Sequence, residues 1–157
     1  MKYDNTQVQA IIKEKFNFLV REYNLQLVYD RFSDWGYKSI YKGDKTAVSV
    51  IFEFREAYVN VLLHRLVNGE IENDSYPFKK DTPLNNIGLD FIVKYKAPMR
   101  LTKPLYDASS DYYGKDSAFE LMVNSLADNL KSIAGDVLRG NFEVFGEIDS
   151  FVKTTIA

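Results

Sequence analysis

His64 is the first place to look for acid or base chemistry, since imidazole is the one side chain whose ordinary pKa lies near neutrality and this chain has one histidine. A base there needs a nucleophile or a carboxylate within reach. Alternation along the two strand-like runs that flank Arg55 and Glu56 puts Ser49 and Glu53 on the same face as His64. A strand histidine more commonly serves packing or hydrogen bonding, and that is the competing reading. With one histidine and no cysteine, the chain cannot build a multi-histidine or thiolate-ligated metal site by itself.

The carboxylates form two further patterns. Asp44, Glu53 and Arg55 loosely resemble the acidic and basic set of magnesium-dependent restriction-like nucleases, where strand carboxylates hold the metal and a lysine activates water. Here arginine stands in the lysine's place and stays protonated, no proline precedes Asp44, and Arg55 falls in the turn. A carboxylate enzyme working through Glu53, Glu56 or Asp44 is kept as the alternative function, and a deep polar pocket around His64 and Glu53 would favour it. Asp107, Ser109 and Asp111 imitate the opening of a calcium loop, but Tyr112 occupies the position where the sharp turn needs glycine. Asp116 reads instead as part of the cap of the next helix. Gly114-Lys115 lacks an upstream glycine and is followed by aspartate, so it is no phosphate loop. No catalytic residue, metal or cofactor is assigned.

A binding surface is more legible. Lys94, Lys96, Arg100 and Lys103 are interleaved with Tyr95 and Met99 and followed by Tyr106, Tyr112 and Tyr113. Tyrosine and arginine cover large area at small entropic cost and keep polar tips, which suits protein interfaces. Lys96, Arg100, Lys103, Tyr106, Tyr112 and Tyr113 are therefore the candidate partner-binding residues. The plainer account is a solvated basic helix end with rings folded under a loop. The same cations with stacked rings would serve RNA, but no defined motif is present, and a formal charge of -2 supplies no general attraction to polyanions. Nucleic acid is not an expected partner.

These residues need a scaffold, and residues 45–67 supply its clearest part. Paired across Arg55 and Glu56, Phe52, Val50 and Val48 meet Val59, Val61 and Leu63, so one face is wholly apolar. Either a tight turn or a four-residue loop keeps that register. Residues 25–32 and 37–42 read as two earlier strands, and a two-residue loop at Gly43-Asp44 sets Tyr37 opposite Val50 and Tyr41 opposite Thr46. Residues 70–81 are expected as a loop or short extra strand.

Helical spacing predicts a first helix over residues 6–23 capped by Asp4 or Asn5, and a short one from Thr82-Pro83 to about Lys96. A long irregular segment to Lys115 follows. Ser117 and Glu120 form a capping box for a long helix that Gly140 stops, and Asn141 can cap a last helix. The fold class is α+β: a single domain over 1–157 with a mainly antiparallel meander of about four strands, an N-terminal helix and C-terminal helices packed on one face.

A length of 157 residues with 46% hydrophobic and 15% aromatic content supports a packed core. The lack of cysteine fits a reducing compartment, and no leader or membrane span is visible, so a cytoplasmic address is expected.

The opening helix ending Phe18-Leu19-Val20-Arg21-Glu22-Tyr23, the strand run over residues 39–67 and the close Leu138-Arg139-Gly140-Asn141-Phe142 resemble, in layout, small bacterial α+β domains. Among these are immunity proteins of polymorphic-toxin and contact-dependent inhibition systems. The resemblance implies a non-catalytic protein that occludes a partner's active site, and it carries over no individual residue. A structural or homo-oligomerising domain is the remaining class, and its mark would be an uncovered apolar sheet face that closes across a twofold axis.

Overall fold

The structure, a computed structural model, describes residues 3–156; Met1, Lys2 and Ala157, which belong to the N-terminal stretch and the domain span read above, lie outside them. The central hairpin has the register expected from alternation. β3 (Thr46–Glu53) and β4 (Tyr58–Arg65) place Phe52, Val50 and Val48 opposite Val59, Val61 and Leu63, and all six are buried. The four-residue loop 54–57 joins the strands, with Ala57 at φ 50°. On the reverse face Ile51, Glu53 and Leu62 are half-buried and Asn60 is exposed, whereas Ala47, Ser49 and His64 are closed from solvent.

Upstream of this pair, β1 (Gln26–Phe32) and β2 (Gly36–Lys42) continue the meander, and β5 (Asn86–Gly88) adds a fifth strand beyond β4. Tyr37 faces Phe52 and Tyr41 faces Val48, two residues away from the expected partners. The slip arises because Gly43 N–H closes on Thr46 O over a longer loop, with the Leu25 side chain lying where a Gly43 Cβ would stand. An even slip keeps every side chain on its face, so both tyrosines still enter the core, 0% and 1% exposed. Tyr37 OH donates to Asp30, which also takes Gln9 Nε2 at 3.0 Å and Lys13 Nζ at 3.1 Å from the first helix. Burial pushes the Tyr41 hydroxyl up to about 12. At the open edge, β1 carries an irregular register between Leu27 and Tyr29, a device that disfavours pairing with a further strand.

The first helix is split: α1 (Asn5–Phe16) and α2 (Phe18–Arg21) meet at Asn17, whose N–H reaches Glu14 O, one residue short of the α pattern. Asp4 caps α1 in a true capping box with Gln7. Asn24, at φ 61°, turns the chain into β1. Residues 82–96 depart furthest from expectation. Their helix, α3 (Leu89–Lys96), begins at Leu89, because the Asp74 carboxylate takes the N–H groups of Asn85 and Asn86 at 2.9–3.0 Å and holds that stretch extended beside β4. The long helix is α4 (Ala118–Ile133), followed by α5 (Gly135–Leu138) and α6 (Glu143–Ile156). Ser117 makes no side-chain cap, since its ψ of 16° aims it away, and Glu120 instead pairs with Lys15 at 3.5 Å. Gly140, at φ 88°, ends α5, and Asn141 Oδ1 accepts from Glu143 N–H at the start of α6.

A single core lies between the apolar sheet face and the helices: Val8, Ile12 and Phe16 of α1, Phe119, Met122 and Leu126 of α4, and Phe145 and Ile148 of α6 join the six hairpin residues. The apolar face of the sheet is thus the covered one, and the open face is mixed. No helix among the described residues is long and apolar enough to cross a membrane.

One lysine ties the last helix to the irregular segment before β5. Lys153 Nζ donates to the carbonyls of Lys79, Lys80 and Thr82 at 2.7, 3.3 and 2.8 Å and pairs with Asp149 at 2.9 Å. Lys153→Met leaves these acceptors without the ammonium. It is expected to remove about 2 kcal/mol of local protection, roughly a thirtyfold faster amide exchange around residues 79–82 with little change in global unfolding. Hydrogen exchange resolved by residue checks this, and unchanged rates would mean the contact contributes nothing.

Candidate functional site

Between α3 and α4 the chain forms a strap. After Ala97 a 3-10 turn, Pro98–Arg100, leads to Leu101, Thr102 and Lys103, and this stretch is tied to α4 at Arg100 and Thr102. Asn129 Nδ2 donates to Arg100 O at 2.8 Å, and Thr102 Oγ1 meets Ser125 Oγ at 2.6 Å. From the other side Tyr112 OH donates to Lys103 O, and Lys103 Nζ donates to Ser109 O and Oγ at 3.1 and 3.0 Å. The strap and the loop over 104–117 thereby enclose a cleft of about 390 Å³ with Leu121 and Ser125 of α4 among its lining. Beneath the strap, Tyr58 OH lies 2.9–3.0 Å from both oxygens of Asp90 and 3.4 Å from Thr102 O. Burial raises the Asp90 carboxyl, and burial together with the Asp90 charge raises the Tyr58 hydroxyl.

The sequence-predicted binding residues divide on this geometry. Arg100 and Lys103 are exposed and line the cleft, and Arg100 Nη2 donates to Ser132 Oγ at 2.9 Å. Tyr112 also lines it but is 8% exposed, so its ring is wall rather than a projecting anchor, with its hydroxyl donating to Lys103 O. Lys96 is exposed at the end of α3, and Tyr106 and Tyr113 are 71% and 53% exposed on the loop outside the cleft lining. The residue whose exposure residue type does not signal is Met99. It is 97% exposed on the pinned turn, and a lone methionine between proline and arginine gives no periodic signal of that exposure.

The calcium-like spacing serves the loop itself. Asp107 Oδ1 accepts from Ser109 N–H at 2.8 Å and Ser109 Oγ at 2.6 Å, and these bonds hold the Asp107 carboxyl below its usual range. The nuclease-like set does not assemble. Asp44 precedes β3 and Glu53 ends it, a separation of roughly 25 Å along an extended strand, and Arg55 lies in the loop beyond.

His64 has a more organised setting than its sequence neighbours suggest. Ser49 Oγ lies 2.8 Å from Nε2, and Asn86 Oδ1 lies 2.5 Å from Nδ1, while Asn86 Nδ2 donates to Glu72 O at 2.8 Å. An amide oxygen only accepts, so the Nδ1 proton donates to Asn86 and Nε2 accepts from the serine. Desolvation holds the imidazole below its usual pKa, in the neutral form this arrangement uses. The order serine, imidazole, amide matches that of a nucleophile, its base and the base's orienter. Ser49 and His64, however, are 3% and 5% exposed, and the cleft described above belongs to other residues. Alternation alone puts Ser49 on this face, whereas Asn86 reaches it because residues 86–88 form a strand where spacing predicts helix. Glu53 stands at the far end of β3 from His64's partner Ala47.

No family model matches the chain, and no curated protein or solved structure matches it either.

Proposed function

We propose that this protein is a non-catalytic, cytoplasmic protein-binding module that uses the strap and its flanking loop to cover a partner, in the manner of immunity proteins of polymorphic-toxin systems. The observation that carries the reading is Met99, held 97% exposed on a turn tied to α4 by Asn129 at the Arg100 carbonyl and by Ser125 at the Thr102 hydroxyl. Large side chains displayed on an already ordered platform lose little entropy on binding, which is how affinity is gained from a small contact. Tyr106 and Tyr113 extend the display, and Arg100 and Lys103 give it polar specificity.

The Ser49, His64 and Asn86 arrangement favours a second reading, a serine hydrolase. Its weakness is access, since nucleophile and base are both closed from solvent. Two measurements separate the readings. Met99→Ala with Tyr113→Ala is expected to weaken a stoichiometric complex captured from the native host by about 2–3 kcal/mol, read by calorimetry, with no change in unfolding. A fluorophosphonate probe is expected to leave Ser49 unlabelled. Equal affinity of the double variant would remove the proposed surface, and Ser49 labelling lost in His64→Ala would replace binding with hydrolysis.

A further inference from the structure

We infer that the cleft under the strap takes an acidic segment of the partner protein, one that carries carboxylates and an apolar side chain. The inference rests on the binding role proposed above and adds the chemistry of the occupant. Between Lys94 and Lys115 the chain has five cations and two carboxylates, in a molecule whose formal charge is -2. Three of those cations, Arg100, Lys103 and Lys115, line one cleft with a single carboxylate, Asp111. Among the described residues none of the three has a carboxylate within ion-pair distance. Arg100 and Lys103 are instead held by neutral acceptors, Ser132 Oγ and Ser109 O and Oγ, which fix their direction without neutralising their charge. The nearby Asp107 accepts from Ser109 and feels the Lys103 charge, but it lies beyond ion-pair distance of that ammonium.

A second basic cleft shows what a self-satisfied one looks like. Lys42, Lys45 and Arg139 line a larger hollow of about 690 Å³ together with Asp44. There Lys42 pairs with Glu70 at 3.0 Å, and Arg139 lies over the Tyr23 ring at 5.2 Å with Asp136 at 4.0 Å. Two of its three cations have a carboxylate partner within 4.0 Å, whereas among the described residues none of the three in the strap cleft does. Met99, Leu101 and the Tyr112 ring add an apolar wall to the strap cleft, which suits a side chain of a folded or peptide partner. A single-stranded nucleic acid would need a run of exposed rings along a basic track. Here the one ring in the lining is 8% exposed, and Tyr106 and Tyr113 stand outside it.

The test uses a short fluorescein-labelled peptide of glutamate and aspartate with one central phenylalanine, titrated with the intact protein from low to physiological salt. Anisotropy is expected to report saturable binding that weakens as salt rises. The variant Arg100→Gln, Lys103→Gln, Lys115→Gln is expected to lose roughly tenfold or more in affinity. The control Lys42→Gln, Lys45→Gln, Arg139→Gln changes the net charge equally and is expected to bind as the parent does. Equal losses in both triple variants, or no binding at low salt, would overturn the inference by reducing it to bulk charge. Tighter binding of a single-stranded oligonucleotide than of the peptide would overturn it in favour of a polynucleotide. A captured partner lost on Met99→Ala with Tyr113→Ala but retained by the strap-cleft triple variant would leave the binding role standing and remove the acidic segment.

Discussion

Phe52→Ala is expected to cost about 3–5 kcal/mol of folding stability, a large share of the roughly 5–15 kcal/mol available to a domain of this kind. The residue is 2% exposed on the apolar face of β3, the middle strand of the sheet, one residue before that strand ends, and its ring centroid lies 5.2 Å from that of Phe119 on α4. Truncation removes both the buried area and the contact that seats the helix layer on the sheet. Phe54 provides the comparison. It touches Phe52 edge-on at 5.8 Å, yet it lies in the hairpin loop at 40% exposure, and its replacement by alanine is expected to cost under about 1 kcal/mol. Because Phe52 and Phe119 share one contact, their double replacement is expected to cost less than the two single losses together. Urea unfolding of the four proteins measures this, and strict additivity would show that helix and sheet do not meet through these rings.

What the sequence made legible follows from how local the signal is. The β3–β4 register could be read because six large apolar residues fall on one face while a mixed set containing Ser49, Glu53, Asn60 and His64 falls on the other, and a slip of one residue would have buried Glu53 and Asn60. The register of β2 against β3 could not, because it depends on the length of a loop in which Gly43 closes on Thr46, and a slip of two leaves the alternation unchanged. β5 was hidden for a different reason. Leu84, Ile87, Phe91 and Ile92 keep helical spacing, and what makes residues 86–88 extended is a carboxylate twelve positions earlier, Asp74, that takes the N–H of Asn86. For the proposed binding surface the sequence offers residue types alone: the exposure of Met99 and the burial of Tyr112 are set by where Asn129, Ser125 and the Lys103 carbonyl pin the strap.

His64 shows the same limit in its chemistry, and it carries the second large effect. His64→Ala would leave Ser49 Oγ and Asn86 Oδ1 without their partner in a closed site, at a cost of about 2–4 kcal/mol from unmet polar groups and lost packing. The parent should also lose stability on acidification in a way the variant does not. Desolvation, reinforced by the charge of Lys38, lowers the folded-state pKa, against smaller opposing effects of Asn86 and Asp74. In acid the unfolded chain therefore binds a proton that the folded chain refuses. The contribution of His64 is complete above the unfolded pKa, near 6.5, and falls as pH drops from there towards the folded value, at up to about 1.4 kcal/mol per pH unit. Subtracting the variant's stability profile from the parent's isolates this slope from the carboxylates, which titrate in both. The loss is expected to fall first on β5, since Asn86 ties His64 to Glu72 and, through its own N–H, to Asp74, so exchange at residues 85–88 should rise before the hairpin opens. Parallel profiles for the two proteins, or an imidazole that titrates in the folded state at its ordinary value, would mean that the Ser49 and Asn86 contacts do not keep the ring neutral and buried.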